Sequence, residues 1–136
     1  MDGIILTPLK IINHPKGDIF HAMKKSDTGF DGFGEAYFST INQNDIKAWK
    51  KHSKMTLNLI VPIGRIEFVI FNEISKDFYN VELSKNNYQR LTIKPNLWLA
   101  LRGIEKNNIL LNLANIEHNS SEVKSVELNK IKYNWS

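Results

Sequence analysis

The sequence predicts an all-β fold, a jelly-roll sandwich or barrel, and three observations carry that prediction. Turn signals recur about every 8 to 12 residues along the chain. The runs they separate are short and rich in Ile, Val, Phe, Tyr and Thr, side chains that suit a pleated, half-buried surface. No stretch holds an apolar period near 3.6 residues long enough to make a long helix. In chain order, strands are expected at Ile4–Ile12, Ile19–Met23, Glu35–Thr40, Ile46–Trp49, Met55–Val61, Arg65–Phe71, Tyr79–Leu83, Tyr88–Ile93, Trp98–Ile104 and Ile109–Ala114. Between them lie tight-turn sequences such as His14-Pro15-Lys16-Gly17, Pro62-Ile63-Gly64, Lys94-Pro95-Asn96 and Glu105-Lys106-Asn107-Asn108, in which Asn or Gly can take the positive φ that tight turns demand. In Met55–Val61, Met55, Leu57, Leu59 and Val61 alternate with Thr56, Asn58 and Ile60, which gives one apolar and one mixed face. Ten strands in 136 residues must close on themselves rather than lie in one open sheet. Two stretches, Ile74–Phe78 and Asn119–Val126, leave room for a helical turn, and no internal repeat is visible.

Composition narrows the function classes. At 136 residues with 42% hydrophobic content the chain is about one domain long, 1–136, and can bury a core unaided. Its 24% charged residues lie near the globular average of about 25%, which argues against disorder. The absence of cysteine excludes disulfides, thiolate metal sites and cysteine nucleophiles. The opening MDGIILTPLK has an acid at Asp2 and no basic flank before its apolar run, so no signal peptide is expected. No apolar stretch reaches the roughly 18 residues of a membrane helix. A soluble, cytoplasmic protein without a membrane partner is the expectation. The net charge of +4 favours an anionic partner. A nucleic acid is not expected, because Arg65, Arg90 and Arg102 are the only arginines and the lysines scatter, apart from Lys47, Lys50, Lys51 and Lys54.

The chemistry concentrates in Lys47-Ala48-Trp49-Lys50-Lys51-His52-Ser53-Lys54. If the strand beginning at Ile46 runs on through this segment, Lys50 and His52 point to one face and Lys51 to the other. Two potential bases would share one wall, and a lysine beside other cations in an apolar cavity becomes a usable base because its pKa falls. The competing reading is a solvated basic loop. Trp49 and Trp98 sit in strand-like runs, where tryptophan is more often core than a stacking platform for a base or sugar. Asn58 and Asn112 interrupt apolar strands, so each must either cross-link strands or line a polar cavity. The four histidines, His14, His21, His52 and His118, are not spaced to put two imidazoles on one face, and neither a metal nor another cofactor is expected.

The order of motifs is similar to that of the short cupins related to dTDP-4-dehydrorhamnose 3,5-epimerase. The resemblance runs from Lys16-Gly17 through Gly34-Glu35-Ala36-Tyr37-Phe38-Ser39, Lys47-Ala48-Trp49, Lys54-Met55-Thr56-Leu57-Asn58 and Pro95 to Tyr133-Asn134-Trp135-Ser136. It implies a cupin-type jelly-roll homodimer whose substrates are nucleotide-linked 4-keto-6-deoxy sugars destined for surface polysaccharide. Epimerisation beside a ketone needs a base for the α-proton, a group that stabilises the enolate and an acid on the opposite face. The family's Arg-Gly-Leu-His run falls on Lys47-Ala48-Trp49-Lys50, which puts Lys50 at the base position. Its His-x-His falls on Lys50-Lys51-His52, so only the second histidine is kept. The tyrosine acid maps to Asn115-Ile116-Glu117, which holds no tyrosine. The histidine of the Pro-x-Gly-x-x-His turn becomes Leu99, and Lys50, Leu57 and Leu99 fill positions of the cupin metal motif. The arginine that holds the diphosphate across the dimer becomes Lys16, which keeps the charge and loses bidentate geometry.

The resulting expectation is an isomerase or epimerase that abstracts a proton α to the ketone of a nucleoside-diphosphate sugar, with Lys50 or His52 as base. Lys16, Lys47, Trp49, Asn58, Trp98 and Asn112 are the expected substrate-binding residues. The alternative is a non-catalytic cupin that binds such a sugar in the same pathway.

Overall fold

The computed structural model describes residues 1–136 and is 51% strand and 4% helix. Two five-stranded antiparallel sheets face each other. The first has the order β1 (Ile4–Pro8), β9 (Gln89–Ile93), β6 (Leu57–Ile63), β11 (Asn107–Ala114), β4 (Glu35–Asn42). The second has the order β12 (Val123–Ser125), β5 (Ile46–His52), β10 (Trp98–Gly103), β7 (Arg65–Phe71), β8 (Phe78–Ser84). A two-stranded hairpin, β2 (Ile11–Ile12) and β3 (Ile19–Phe20), stands apart from both. No helix is long and apolar enough to cross a membrane.

Each expected strand has a counterpart with somewhat different bounds, and Ile19–Met23 shortens to Ile19–Phe20. The run Ile4–Ile12 divides after Pro8: β1 pairs with β9 through Pro8↔Gln89, Leu9 still donates to the Tyr88 carbonyl at 3.1 Å, and Ile11–Ile12 pair instead with Ile19–Phe20. The strand from Ile46 continues past Trp49 to His52, held by β10 on one side and β12 on the other. Asn119–Val126 holds both a helical turn, a 3-10 turn at Ser120–Glu122, and the short strand β12.

Alternation sorts each strand between interior and exterior. Leu57, Leu59 and Val61 of β6 meet Ile66, Phe68 and Ile70 of β7 in the core between the sheets. The tight turn joining these strands passes through Gly64 at φ 84°, where a Cβ would stand 2.2 Å from the Asn107 carbonyl oxygen, so glycine is required.

Both outer faces are covered by chain that carries little regular structure. On the first sheet, residues 22–29 are pinned by Arg90, a fully buried guanidinium that donates to the carbonyls of Ala22 (2.7 Å) and Thr28 (3.1 Å) and pairs with Asp27 at 3.2 Å. Only a planar fork meets all three acceptors. Arg90→Lys is therefore expected to lower stability by about 1–3 kcal/mol through unmet carbonyls, read as a lower urea midpoint at an unchanged slope. On the second sheet, Val126, Ile131, Tyr133 and Trp135 of the C-terminal segment pack over Trp49, Val69, Trp98 and Ala100.

Candidate active site

A cavity of about 490 Å³ opens between the two sheets. The second sheet supplies Lys47, Lys50 and His52 from β5 and Leu99 and Leu101 from β10. The first sheet faces them with Tyr37 and Ser39 from β4, Leu57 and Leu59 from β6, and Leu110 and Asn112 from β11. The result is an apolar floor of leucines between two polar walls. Lys50 and His52 share the cavity side of β5, while Lys51 points outward to Glu73, as a two-residue period requires.

His52 is held by a residue from the far end of the chain. Its Nδ1 lies 2.6 Å from Oε2 of Glu122, whose Oε1 accepts the backbone N–H groups of Met55 (2.8 Å) and Lys54 (3.1 Å). Burial pushes the Glu122 carboxyl up, yet the hydrogen bonds from His52, Met55 and Lys54 outweigh it and hold the group below its ordinary value of 4.5. An ionised Glu122 accepts and cannot donate, so the proton of a neutral His52 sits on Nδ1 and Nε2 keeps a lone pair. Glu122 is placed by the 3-10 turn, whose N-cap Asn119 accepts the N–H of Ser121 at 3.0 Å, and by β12, which pairs Val123 with His52.

Across the cavity, Asn112 Nδ2 donates to the Tyr37 hydroxyl oxygen at 3.0 Å, leaving that hydroxyl's proton free to be donated elsewhere. Asn112 Oδ1 meanwhile accepts the N–H of Asn58 at 3.1 Å, so this side chain both cross-links strands and lines the cavity. Lys47, in the β5 wall, donates its ammonium to the Thr40 carbonyl at 2.6 Å, a bond that ties β5 to β4. Lys50 lines the cavity as an exposed residue whose side chain has no hydrogen-bond or ion-pair partner.

Four of the expected binding residues lie outside the cavity wall. Trp49 is fully buried on the opposite face of β5, with its indole N–H donated to the Leu128 carbonyl at 3.2 Å. Trp98 is 6% exposed on the outer face of β10 and donates to Glu73 at 3.1 Å. The reason is parity: Trp49 alternates with Lys50, and Trp98 with the inward Leu99. Asn58 faces the covering segment instead, accepting the Thr92 hydroxyl at 2.6 Å and donating to the Gly29 carbonyl at 3.1 Å. Lys16 is exposed in the turn of the β2–β3 hairpin, where its N–H bonds His14 Nδ1 at 3.0 Å.

Ile116, at the position the resemblance assigns to the acid, packs against the main core. No group of three or more His, Asp or Glu stands close enough together to hold a metal ion. Two residues escaped the sequence reading: Tyr37, which shares its parity with Ser39, and Glu122, whose only local sign is the Asn119-x-x-Glu122 capping pattern.

No family model matches the sequence, and neither does any curated protein. Solved structures do. A dTDP-sugar isomerase from Desulfovibrio desulfuricans G20 superposes with a TM-score of 0.93 at 29% identity, covering 98% of this chain and 91% of its own. The 3,4-ketoisomerase QdtA from Thermoanaerobacterium thermosaccharolyticum, in complex with TDP, gives 0.79 at 21% identity over 91% of this chain and 88% of its own. A dTDP-4-dehydrorhamnose 3,5-epimerase from Sulfolobus tokodaii gives 0.84 at 19% identity over 98% of this chain and 82% of its own.

Proposed function

We propose that this chain, a short cupin related in structure to the dTDP-sugar isomerases and epimerases, binds a nucleoside-diphosphate-linked 4-keto-6-deoxyhexose in the cavity and moves a proton beside its ketone. The observation that carries this reading is the His52–Glu122 pair, which leaves a lone pair on an imidazole in the wall of a leucine-lined cavity. His52 Nε2 takes the hydrogen from the carbon α to the carbonyl and becomes an imidazolium balanced by Glu122. The electrons of the broken C–H bond form the carbon–carbon double bond of an enolate, whose oxygen meets the ammonium of Lys50. Return of a proton to the same carbon from the Tyr37 side epimerises it. Where that carbon carries a hydroxyl, the hydroxyl proton passes to the enolate oxygen and a proton returns to the former carbonyl carbon, which moves the ketone instead, so both outcomes share one intermediate.

Lys47 is read as the cation for the diphosphate. Lys47→Ala is expected to weaken dTDP binding by about 1.5–3 kcal/mol, the worth of a hydrogen bond to a charged group, measured by calorimetry. Unchanged affinity would place the diphosphate elsewhere. The same reading makes the protein a cytoplasmic homodimer serving surface-polysaccharide synthesis, in which the exposed hairpin turn carrying Lys16 would approach a partner's cavity. The direct test is incubation in D₂O with a panel of dTDP-4-keto sugars, followed by NMR. Deuterium at the α-carbon is the expected result; dTDP binding with no exchange on any sugar would make this a binding protein.

A further inference from the structure

The sheet that walls the cavity carries a second concavity on its outer face. It measures about 510 Å³, of the same size as the cavity, and is separated from it by the thickness of β5 and β10. Phe71, Phe78 and Trp98 form its aromatic side, with Phe78 39% exposed. Lys76, Lys130 and Lys132 stand around it, and none of the three ammonium groups has a carboxylate within ion-pair distance or a hydrogen-bond acceptor. The single acid in the lining, Glu73, is already engaged by Lys51 and by the Trp98 indole.

Lys76 also occupies its place at a backbone cost. It takes φ 65° in a turn held by the Asn72 side chain, where a residue with a Cβ is disfavoured by about 1–2 kcal/mol. With Lys130 and Lys132 of the C-terminal segment, it puts three lysines around an aromatic lining in which Glu73 is the one acid. A concavity of several hundred Å³ with apolar walls and a few charged groups has the dimensions of a small-molecule site.

From this we infer that the outer groove is a second binding site, for a phosphorylated ring compound of mononucleotide size, its ring against Phe78 and Phe71 and its phosphates on Lys76, Lys130 and Lys132. The inference does not depend on the reaction assigned to the cavity. Charge complementarity selects the anion, and the aromatic wall selects a ring over inorganic phosphate.

ADP is the probe, followed through the indole N–H signal of Trp98 in a ¹⁵N-correlated spectrum and assigned by its loss in Trp98→Phe. The signal is expected to move saturably as ADP is added at low salt. The exposed double variant Lys130→Glu, Lys132→Glu should weaken that response by about tenfold or more, whereas Lys47→Ala, in the cavity, should leave it unchanged. Any of four results overturns the inference: no movement with ADP, an equal response in the double variant, loss of the response in Lys47→Ala, or inorganic phosphate reproducing it at the same affinity. Tighter binding of a single-stranded oligonucleotide than of ADP would also overturn it, in favour of a nucleic-acid surface.

Discussion

His52→Asn is expected to remove deuterium exchange into the sugar almost entirely, by about the 10²–10⁴-fold that one positioned base contributes, while dTDP binds as before. The substitution keeps a polar side chain near Glu122 and removes only the lone pair aimed into the cavity. Its effect should therefore fall on turnover and spare affinity. Lys50→Met separates the two candidates that sequence parity left together. If His52 is the base and Lys50 meets the enolate oxygen, Lys50→Met slows exchange and His52→Asn ends it. Full exchange in His52→Asn with loss in Lys50→Met would reverse the roles. Loss of dTDP affinity in parallel with exchange would mean that His52 holds the nucleotide and does no chemistry.

How much of this site could be read beforehand follows from the distance over which each constraint acts. Parity within a strand is local, so the pairing of Lys50 with His52 and the exclusion of Lys51 were legible from Ile46–His52 alone. The same rule, applied to the residues next to them, sends Trp49 and Trp98 to the outer face; chemistry drew attention to the tryptophans where geometry excluded them. Tyr37 and Ser39 were legible by alternation in β4, but nothing in that strand marks its odd positions as facing a cavity rather than a filled core. Asn112 and Asn58 look alike as polar interruptions of apolar strands, and they diverge because the covering segment around Gly29 lies only over the outward face of β6. Glu122 was the hardest to foresee. It reaches His52 across 70 residues of sequence, from a 3-10 turn of three residues that is too short to show a period.

Glu122→Gln should both slow the reaction and flatten the acid limb of stability. The glutamine oxygen can still accept from Met55 and Lys54, but its amide then turns N–H groups toward His52 Nδ1, which must give up its own proton to accept. The neutral imidazole is driven to the Nε2–H tautomer, with no lone pair facing the cavity. The equivalent exchange in hydrolase triads costs about 10⁴-fold, and a loss of about 10²–10⁴-fold is expected here, visible directly as a change of tautomer in the ¹⁵N signals of His52. A wild-type imidazole already protonated on Nε2 would overturn the assignment. Stability follows the same carboxylate. Because its folded pKa lies below the ordinary 4.5, ionised Glu122 stabilises the protein above that pH, and the contribution is lost as pH falls through the depressed folded value. Glu73, lowered by the hydrogen bonds from Lys51 and Trp98, and Asp27, lowered chiefly by the Lys24 N–H, act in the same direction. Wild-type urea midpoints should thus fall as the solution is taken below pH 4.5. In Glu122→Gln the stability should start lower at pH 7, by about 1–3 kcal/mol for a disrupted buried hydrogen-bond set, and the midpoint should then fall less steeply with pH, on the slope contributed by Glu73 and Asp27. Parallel acid limbs in the two proteins would show that Glu122 is not ionised in its pocket, and with it would go the argument for the orientation of His52.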